Sequence, residues 1–280
     1  MSIVRIWLCS FLWLIAAPLR LYIRRSPIER GKWRLSHGVL EPLLSLFPDG
    51  MTVLATVPGG RIPLFYTEDL GRRVLITGGF ETAEINAVMS YATLGGGAAD
   101  VGANVGMFTI PLAHKVGPNG IVLAFEPYPS NADRLRQNCV ANGASSVVVH
   151  QLALMDRDGV VDLHLGMDPA YGSTTRVSPG KESGATISIP SRTFDNIWAE
   201  SGRPRVSVVK IDVEGAELSV LSGSREFLIS CAPTLLVETA SPEAFDEVAG
   251  WLRNLGYAHH SRVGFEPWNH LFLADRRRSQ

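Results

Sequence analysis

Four short apolar runs in this chain end on an acid, and each is followed by a turn and then a helix-forming segment. The runs close on Asp100, Glu126, Asp212 and Glu238. Strand-length runs alternating with helical stretches argue for a parallel sheet wound with helices. Parallel strands bring their carboxyl ends to one edge, which is where open α/β sheets bind ligands. A single acid there commonly does no more than cap the next helix. Four in register around one edge imply a site.

The first acid lies in A-A-D-V-G-A-N-V-G, Ala98 to Gly106, ahead of an apolar-periodic segment that reads as a helix. Strand, glycine turn and helix start together suit a nucleotide-like ligand, because bare backbone and unpaired N–H groups can approach it. A dinucleotide fingerprint requires G-x-G-x-x-G to seat a pyrophosphate. Here Gly102 and Gly106 flank Asn104 with no third glycine, and Asp100 would repel a pyrophosphate. The same carboxylate suits the ammonium group of an amino-acid-bearing ligand, so the loop favours S-adenosylmethionine over NAD. Glu126 follows the first glycine by roughly 20 residues, the position from which a carboxylate accepts both ribose hydroxyls of an adenine cofactor.

Three segments frame this core. Residues 1–50 are hydrophobic and basic: Ile6 to Leu19 carries no charge, and Arg5, Arg20, Arg24 and Arg25 flank it. Residues 3–23 reach membrane-spanning length only if Arg5 and Arg20 snorkel, and the basic residues that follow would keep the remainder cytoplasmic. The expectation is a cytoplasmic protein with a possible contact of 3–23 with the cytoplasmic membrane face, against the alternatives of a helix packed on the domain or a signal sequence. Residues 51–77 read as a small β-meander of three strands, T-V-L-A-T-V, R-I-P-L-F-Y and R-V-L-I-T. Residues 78–280 form the main domain, beginning with a helix over Thr82 to Tyr91.

Within that domain the spacing predicts further elements. A helix runs from Ser130, its N-cap, to Asn142, with Gly143 as its stop. The strand S-V-V-V-H-Q-L-A-L ends near Asp156, and D-R-D-G opens a hairpin onto V-V-D-L-H-L. Gly166 to Gly184 is rich in Gly, Ser, Thr and Pro and reads as a mobile loop. Helices follow over Glu217 to Ser230 and over Pro242 to Leu255, the latter capped by Ser241. A terminal hairpin of Y-A-H-H-S-R-V and N-H-L-F-L-A-D closes the sheet.

Composition excludes several classes. A formal net charge of -1 gives no support for a nucleic-acid partner. Cys9, Cys139 and Cys231 are far apart, without a CxxC pair, and fit small buried hydrophobes in a reducing compartment. The seven histidines form no HxxxH or HExxH array.

Taken together, D-V-G-A-N-V-G, A-F-E-P-Y-P-S-N, Q-L-A-L-M-D-R-D-G, S-I-P-S-R-T-F-D, V-V-K-I-D-V-E-G-A-E and L-L-V-E-T resemble the FkbM family of S-adenosylmethionine-dependent methyltransferases, a branch of the Rossmann-like class I group. The resemblance covers roughly Gly78 to Glu238; Met155 departs from it, standing where a small polar residue is usual. It implies an α/β fold with a mostly parallel seven-stranded sheet and helices on both faces. It also implies that Asp100, Gly102, Asn104 and Gly106 line the methionine half of the cofactor, that Glu126 holds the ribose with Pro127 and Asn131 shaping its turn, and that Ala153, Leu154 and Asp156 border the adenine. Asp212 would face the sulfonium and the acceptor, with Glu214 and Glu238 nearby.

The reaction that follows is methyl transfer to a hydroxyl of a small-molecule or lipid-linked saccharide, a glycolipid or a secondary metabolite. A hydroxyl is a poor nucleophile at neutral pH, so a carboxylate base is expected, Asp212 first and Glu214 second. A divalent cation on Asp212 and Glu238 is the other way to activate it, without being required. Two other classes compete: a nicotinamide-dependent oxidoreductase, disfavoured by Asp100 and the absent third glycine, and a non-catalytic membrane-tethered binding protein, disfavoured by the intact set of acids.

Overall fold

The computed structural model describes residues 52–165, 175–176, 185–264 and 268–275, together with 14, 17–19, 21–22 and 38–39. The chain divides into two compact units: Met1–Thr56 with Pro63–Phe80 and Asp168–Gly172, and Val57–Ile62 with Glu81–Met167 and Ser173–Gln280. The expected apolar helix over 3–23 lies largely outside the described residues, although Leu14, 17–19 and 21–22 are helical. Among the described residues no helix is long and apolar enough to cross a membrane.

The three-strand meander is two strands and a helix. Thr52–Val57 (β1) and Gly60–Phe65 (β2) pair, and Ile62 and Leu64 alternate inward from exposed Arg61 and Phe65, as a half-buried strand should. The stretch R-V-L-I-T, expected as the third strand, instead ends the helix Asp69–Thr77 (α1). Its spacing explains the correction. Leu70 and Val74 stand one turn apart, with Gly71 and Leu75 beside them, and all four are buried on one face. Gly71 permits this packing: a Cβ there would lie 2.0 Å from the Phe65 carbonyl oxygen. Gly78, at φ +91°, ends the helix by donating to the Val74 carbonyl.

The large unit opens with the helix Thr82–Tyr91 (α2), where the sequence places it. Its main sheet has seven strands. In spatial order they are Tyr257–Arg262 (β12), Asn269–Ala274 (β13), Thr234–Glu238 (β11), Val206–Ile211 (β10), Gly97–Val101 (β3), Ile121–Phe125 (β4) and Val147–His150 (β5). From β11 to β5 all neighbours are parallel, while β13 runs antiparallel between β11 and β12, the expected closing hairpin. Every residue of β3 is buried, so both faces of the sheet centre are covered. The chain leaves β3 toward β4 and β5 but continues from β10 toward β11. The switch in strand order therefore falls between β3 and β10, the crevice where such sheets bind ligands.

The crossovers are Thr109–Val116 (α3), Pro129–Ala141 (α4), Phe194–Glu200 (α5), Glu217–Ser222 (α6), Arg225–Cys231 (α7) and Pro242–Asn254 (α8). In α4 the expected N-cap, Ser130, is already inside the helix: Tyr128 holds the cap position and Pro129 the first turn, where a missing N–H costs nothing. Ser241 does cap α8, accepting from Ala244 N–H at 3.2 Å. The single helix expected over Glu217 to Ser230 is broken at Gly223, which lies so close to the Met155 backbone that a Cβ would come 2.0 Å from its carbonyl oxygen. The Asp195 carboxylate accepts from the Glu226 and Phe227 N–H groups and so caps the restarted helix from α5.

The third predicted strand is also divided. Val147–His150 stays in the main sheet, whereas Ala153–Leu154 (β6) joins a four-stranded sheet with Thr186–Arg192 (β9), Gly159–Leu165 (β7) and Thr175–Arg176 (β8). The D-R-D-G segment does not form the expected hairpin. β6 pairs with β9 in parallel, and β7 pairs with β9 and β8, not with β6. Asp158 fixes this arrangement by accepting from Thr193 N–H, Arg192 Nε and Asn196 Nδ2. Most of the Gly166–Gly184 loop lies outside the described residues. Under the sheet, Phe125, Phe194, Trp198 and Phe227 form an aromatic core, and the Trp198 indole donates to the Pro204 carbonyl.

Candidate active site at the carboxyl edge of the sheet

The glycine turn is held by four hydrogen bonds. Gly102 and Ala103 N–H both donate to the Phe125 carbonyl, at 3.0 and 2.9 Å. Asn138 of α4 donates to the Val105 carbonyl at 2.8 Å, and Lys210 Nζ donates to the Gly102 carbonyl at 3.0 Å. Gly102 must be glycine twice over: its φ is +77°, and a Cβ would sit 1.8 Å from the Asp212 carbonyl oxygen. Asn104 takes the left-handed conformation at φ 49°, which turns its N–H onto Glu126.

Glu126 is buried at the end of β4, and each carboxylate oxygen accepts one backbone N–H. Oε2 takes Asn104 at 2.8 Å and Oε1 takes Tyr128 at 3.0 Å. An ionised carboxylate has about four acceptor positions, so one on each oxygen remains for a ligand. Burial pushes this carboxyl up to about 7, against the two N–H groups that favour its ionised form. Pro127 lies in the link between β4 and α4, and Asn131 is buried in the first turn of α4.

Asp100 and Lys210 are paired across β3 and β10. Asp100 is 0% exposed: Oδ2 accepts from Thr109 Oγ at 2.5 Å, and Oδ1 makes no hydrogen bond. The Lys210 ammonium, 5% exposed, is 3.8 Å from Asp100 Oδ1 and 3.2 Å from Asp212 Oδ2, and lies over the Phe108 ring. Burial raises the Asp100 pKa, with Lys210 and Thr109 opposing. For Lys210 burial works to lower the pKa, but Asp212, Asp100 and Glu81 together hold it above its ordinary value.

Two members of this cluster carry no role in the sequence reading. Lys210 is a lone cation in the apolar run V-S-V-V-K-I-D, a pattern that could have exposed it. Glu81, at the N-cap position of α2 in the left-handed region at φ 41° and ψ 43°, gives no comparable signal. Its carboxyl is pushed up to about 9 by burial first and then by Asp212, with Glu238 and Glu84 adding to the effect and Lys210 opposing it. Around one ammonium the edge thus gathers Glu81, Asp100, Asp212 and Glu238. Carboxyl groups outnumber cations there, and a cationic ligand would favour their ionised forms.

The other expected positions divide. Glu214 follows Asp212 at left-handed φ 54°, and Glu217 turns back to accept from Gly215 N–H. Ala153 packs in a small cluster with Leu163 and Ile189, Leu154 belongs to the main core, and Asp156 is exposed. Among the described residues no group of three or more His, Cys, Asp or Glu is arranged to hold a metal ion. A cavity of ≈ 290 Å³ lined by Gly59, His114, Pro118, Asn142 and Ser145 opens at the opposite, amino edge of the sheet and shares none of these acids.

This topology and glycine turn define a Rossmann-like nucleotide-binding class with an acid-rich, cation-accepting edge. A family model for the methyltransferase FkbM domain matches residues 100–258, more than half of the chain. The chain belongs to the FkbM family of S-adenosylmethionine-dependent methyltransferases. It is 28% identical over 141 residues to Methyltransferase 1 of Beauveria bassiana, covering 44% of this chain and 56% of that one. It is 27% identical over 238 residues to the 31-O-demethyl-FK506 methyltransferase FkbM of Streptomyces tacrolimicus, covering 75% and 86%. With the hexuronic acid methyltransferase AglP of Haloferax volcanii it shares 33% identity over 132 residues, 47% of this chain and 51% of the relative. The match thus spans about half the length of the first and third of these relatives.

Proposed function

We propose that this protein transfers a methyl group from S-adenosylmethionine to a hydroxyl of a small-molecule or lipid-linked saccharide. The observation that carries the reading is the charge balance at the sheet edge, where several carboxylates surround one buried ammonium beside a glycine turn. S-adenosylmethionine brings an electrophilic methyl on a cationic sulfur, together with an ammonium group. A nicotinamide dinucleotide would instead bring two phosphates to a turn flanked by Asp100 and Asp212, and Coulomb repulsion counts against it. The free acceptor positions on Glu126 match two ribose hydroxyls. Oxygen as the methylated atom is supported by the name of the Streptomyces relative, and a saccharide acceptor by that of AglP.

In this reading Gly102, Asn104 and Gly106 present main chain to the amino-acid half, and Asp100 orders that wall through Thr109 and Lys210. Asp212, the least buried of the paired acids with 30% of its side chain exposed, orients the acceptor hydroxyl and draws on its proton. The remaining catalytic demand is alignment of acceptor, methyl and sulfur, largely a matter of proximity.

Calorimetry tests the cofactor: S-adenosylmethionine and its demethylated product, S-adenosylhomocysteine, should bind, and NAD should not. NAD binding alone would overturn the reading. Asp212→Asn should keep cofactor binding while losing transfer to an acceptor extract; unchanged transfer would remove Asp212 from its role.

A further inference from the structure

We infer that Asn138, in the last turn of α4, and Asn142, at its end, are positioning residues for the cofactor. Asn138 sets the peptide that closes the glycine turn, and Asn142 braces that helix against the turn between β1 and β2. The inference rests on the methyl-transfer reading above, and it brings in Arg61, which lies outside the stretch matched by the family model.

The shape of the glycine turn depends on contacts from its surroundings. Gly102, Asn104 and Gly106 all have positive φ, at 77°, 49° and 101°. Glycine accepts either sign of φ, so the peptide between Val105 and Gly106 can rotate unless something holds it. Gly102 and Ala103 are held by the Phe125 carbonyl, and Asn104 by Glu126. At Val105 the hold comes from Asn138, whose side-chain Nδ2 donates to the Val105 carbonyl at 2.8 Å in a buried setting. The same peptide then carries the Gly106 N–H onto the Ala103 carbonyl at 2.9 Å. Leu135 of the same helix packs there too, so close that a Cβ on Gly106 would lie 2.8 Å from its Cδ1. Rotation of this peptide would disturb the adjoining Asn104, whose N–H serves Glu126.

Asn142 secures α4 in turn. Its Oδ1 accepts from the Arg61 N–H at 2.8 Å, and its Nδ2 donates to the Arg61 carbonyl at 3.0 Å and to the Asn138 carbonyl at 2.8 Å. One carboxamide thus pairs with both main-chain groups of Arg61, as a neighbouring strand would. An aspartate at position 142 could make only the first of these three bonds, and an alanine none. The β1–β2 turn is shaped for this contact. A Cβ on Gly60 would lie 2.4 Å from the Asn142 Oδ1, and one on Gly59 would lie 2.3 Å from the Cβ of His114 in the last turn of α3. The turn therefore bears on the helix that follows the glycine turn and on the helix that pins it. Hydrogen bonds run without a gap from Arg61 through Asn142 and Asn138 to Val105.

Calorimetry with S-adenosylhomocysteine, well below the melting temperature of each protein, tests the inference. A residue that only adds to global stability lowers Tm when removed and leaves the Kd of the folded protein alone. Asn138→Ala should raise Kd roughly tenfold at pH 8, and Asn142→Ala about threefold. Asn138→Asp supplies a conservative rescue. Ionised, it can only accept and so repels the Val105 carbonyl; protonated, it can donate there. Its Kd relative to wild type should be raised at pH 8 and fall back toward one at pH 5.5, whereas the ratio for Asn138→Ala should stay high at both. A lowered Tm with unchanged Kd in Asn138→Ala would make Asn138 structural only and overturn the inference. An unchanged Kd in Asn142→Ala would remove the β1–β2 turn from it. Should Asn138→Ala fail to fold, Asn138→Asp carries the test, and a ratio that does not change with pH overturns the role. Failure of wild-type protein to bind either S-adenosylmethionine or S-adenosylhomocysteine overturns the methyl-donor reading itself.

Discussion

The most exacting test of the ribose assignment is the pH dependence of cofactor affinity set by Glu126. Its carboxyl lies at about 7 in the folded chain and at 4.5 when unperturbed, with burial the main cause. Because the folded value is raised, the folded state binds the proton more tightly than the unfolded chain. Stability from this group is complete below pH 4.5 and is lost as pH rises through 7, a loss of about 3 kcal/mol for a displacement of that size. The cofactor-free protein therefore tolerates a destabilising carboxylate at pH 8. The ligand offsets this cost by donating two hydroxyls to the two free acceptor positions. S-adenosylhomocysteine, which lacks the sulfonium, isolates the effect. Its Kd in wild-type protein should rise roughly tenfold between pH 8 and pH 6 as Glu126 protonates. In Glu126→Gln the amide oxygen can accept from only one of Asn104 and Tyr128, and its NH2 faces the other N–H. Affinity at pH 8 should fall roughly 10- to 100-fold, and the dependence on pH should flatten. Calorimetry across pH 6 to 8.5 reads both slopes. A flat wild-type profile, or a variant with the wild-type slope, would refute the argument that Glu126 must be ionised to hold the ribose.

Three further outcomes follow from the same geometry. Gly102→Ala combines an unfavourable φ with a Cβ 1.8 Å from a carbonyl oxygen, and should cost on the order of 4 kcal/mol, read as a large drop in Tm and loss of cofactor binding. Lys210→Met removes the cation shared by Asp100 and Asp212; chemical denaturation should show a loss of about 3–5 kcal/mol, smaller at acid pH where Asp100 is protonated. Asp195→Ala leaves the N–H groups of Glu226 and Phe227 without their acceptor. It should cost about 1–2 kcal/mol of stability with cofactor affinity unchanged.

Legibility of the fold followed the range of the interactions that decide it. The central strands and α2 are visible in the sequence because apolar run length and local periodicity fix them. Where a distant carbonyl decides the outcome, local pattern misleads. Gly223, where the predicted helix breaks, lies against the Met155 backbone, and Gly71 within α1 lies against Phe65. Both glycines look like ordinary turn residues in sequence. The division of S-V-V-V-H-Q-L-A-L between two sheets depends on which partner β6 finds, namely β9, more than thirty residues later. In the site, Glu126, Asp100, Asp212 and Glu238 are legible because strand ends share an edge by topology alone. Glu81 enters through packing of the preceding helix, and no spacing rule ties it to the four.

Lys210 shows how a single residue can report the electrostatics of a whole site. A lysine in a central parallel strand, with both faces covered, bears a desolvation cost that carboxylates must offset. Its presence in V-V-K-I-D therefore implies at least one buried acid on a neighbouring strand, and the register supplies Asp100 directly opposite. The structure adds Asp212 just beyond the end of the same strand and places Glu81 within their field. One ammonium among several carboxylates overcompensates the lysine and leaves the edge short of positive charge. An apolar residue at position 210 would push the Asp100 carboxyl further up and leave the Gly102 carbonyl without its donor. A second fixed cation would instead discharge the edge. The single lysine secures the glycine turn and keeps the electrostatic deficit that a cationic methyl donor can fill.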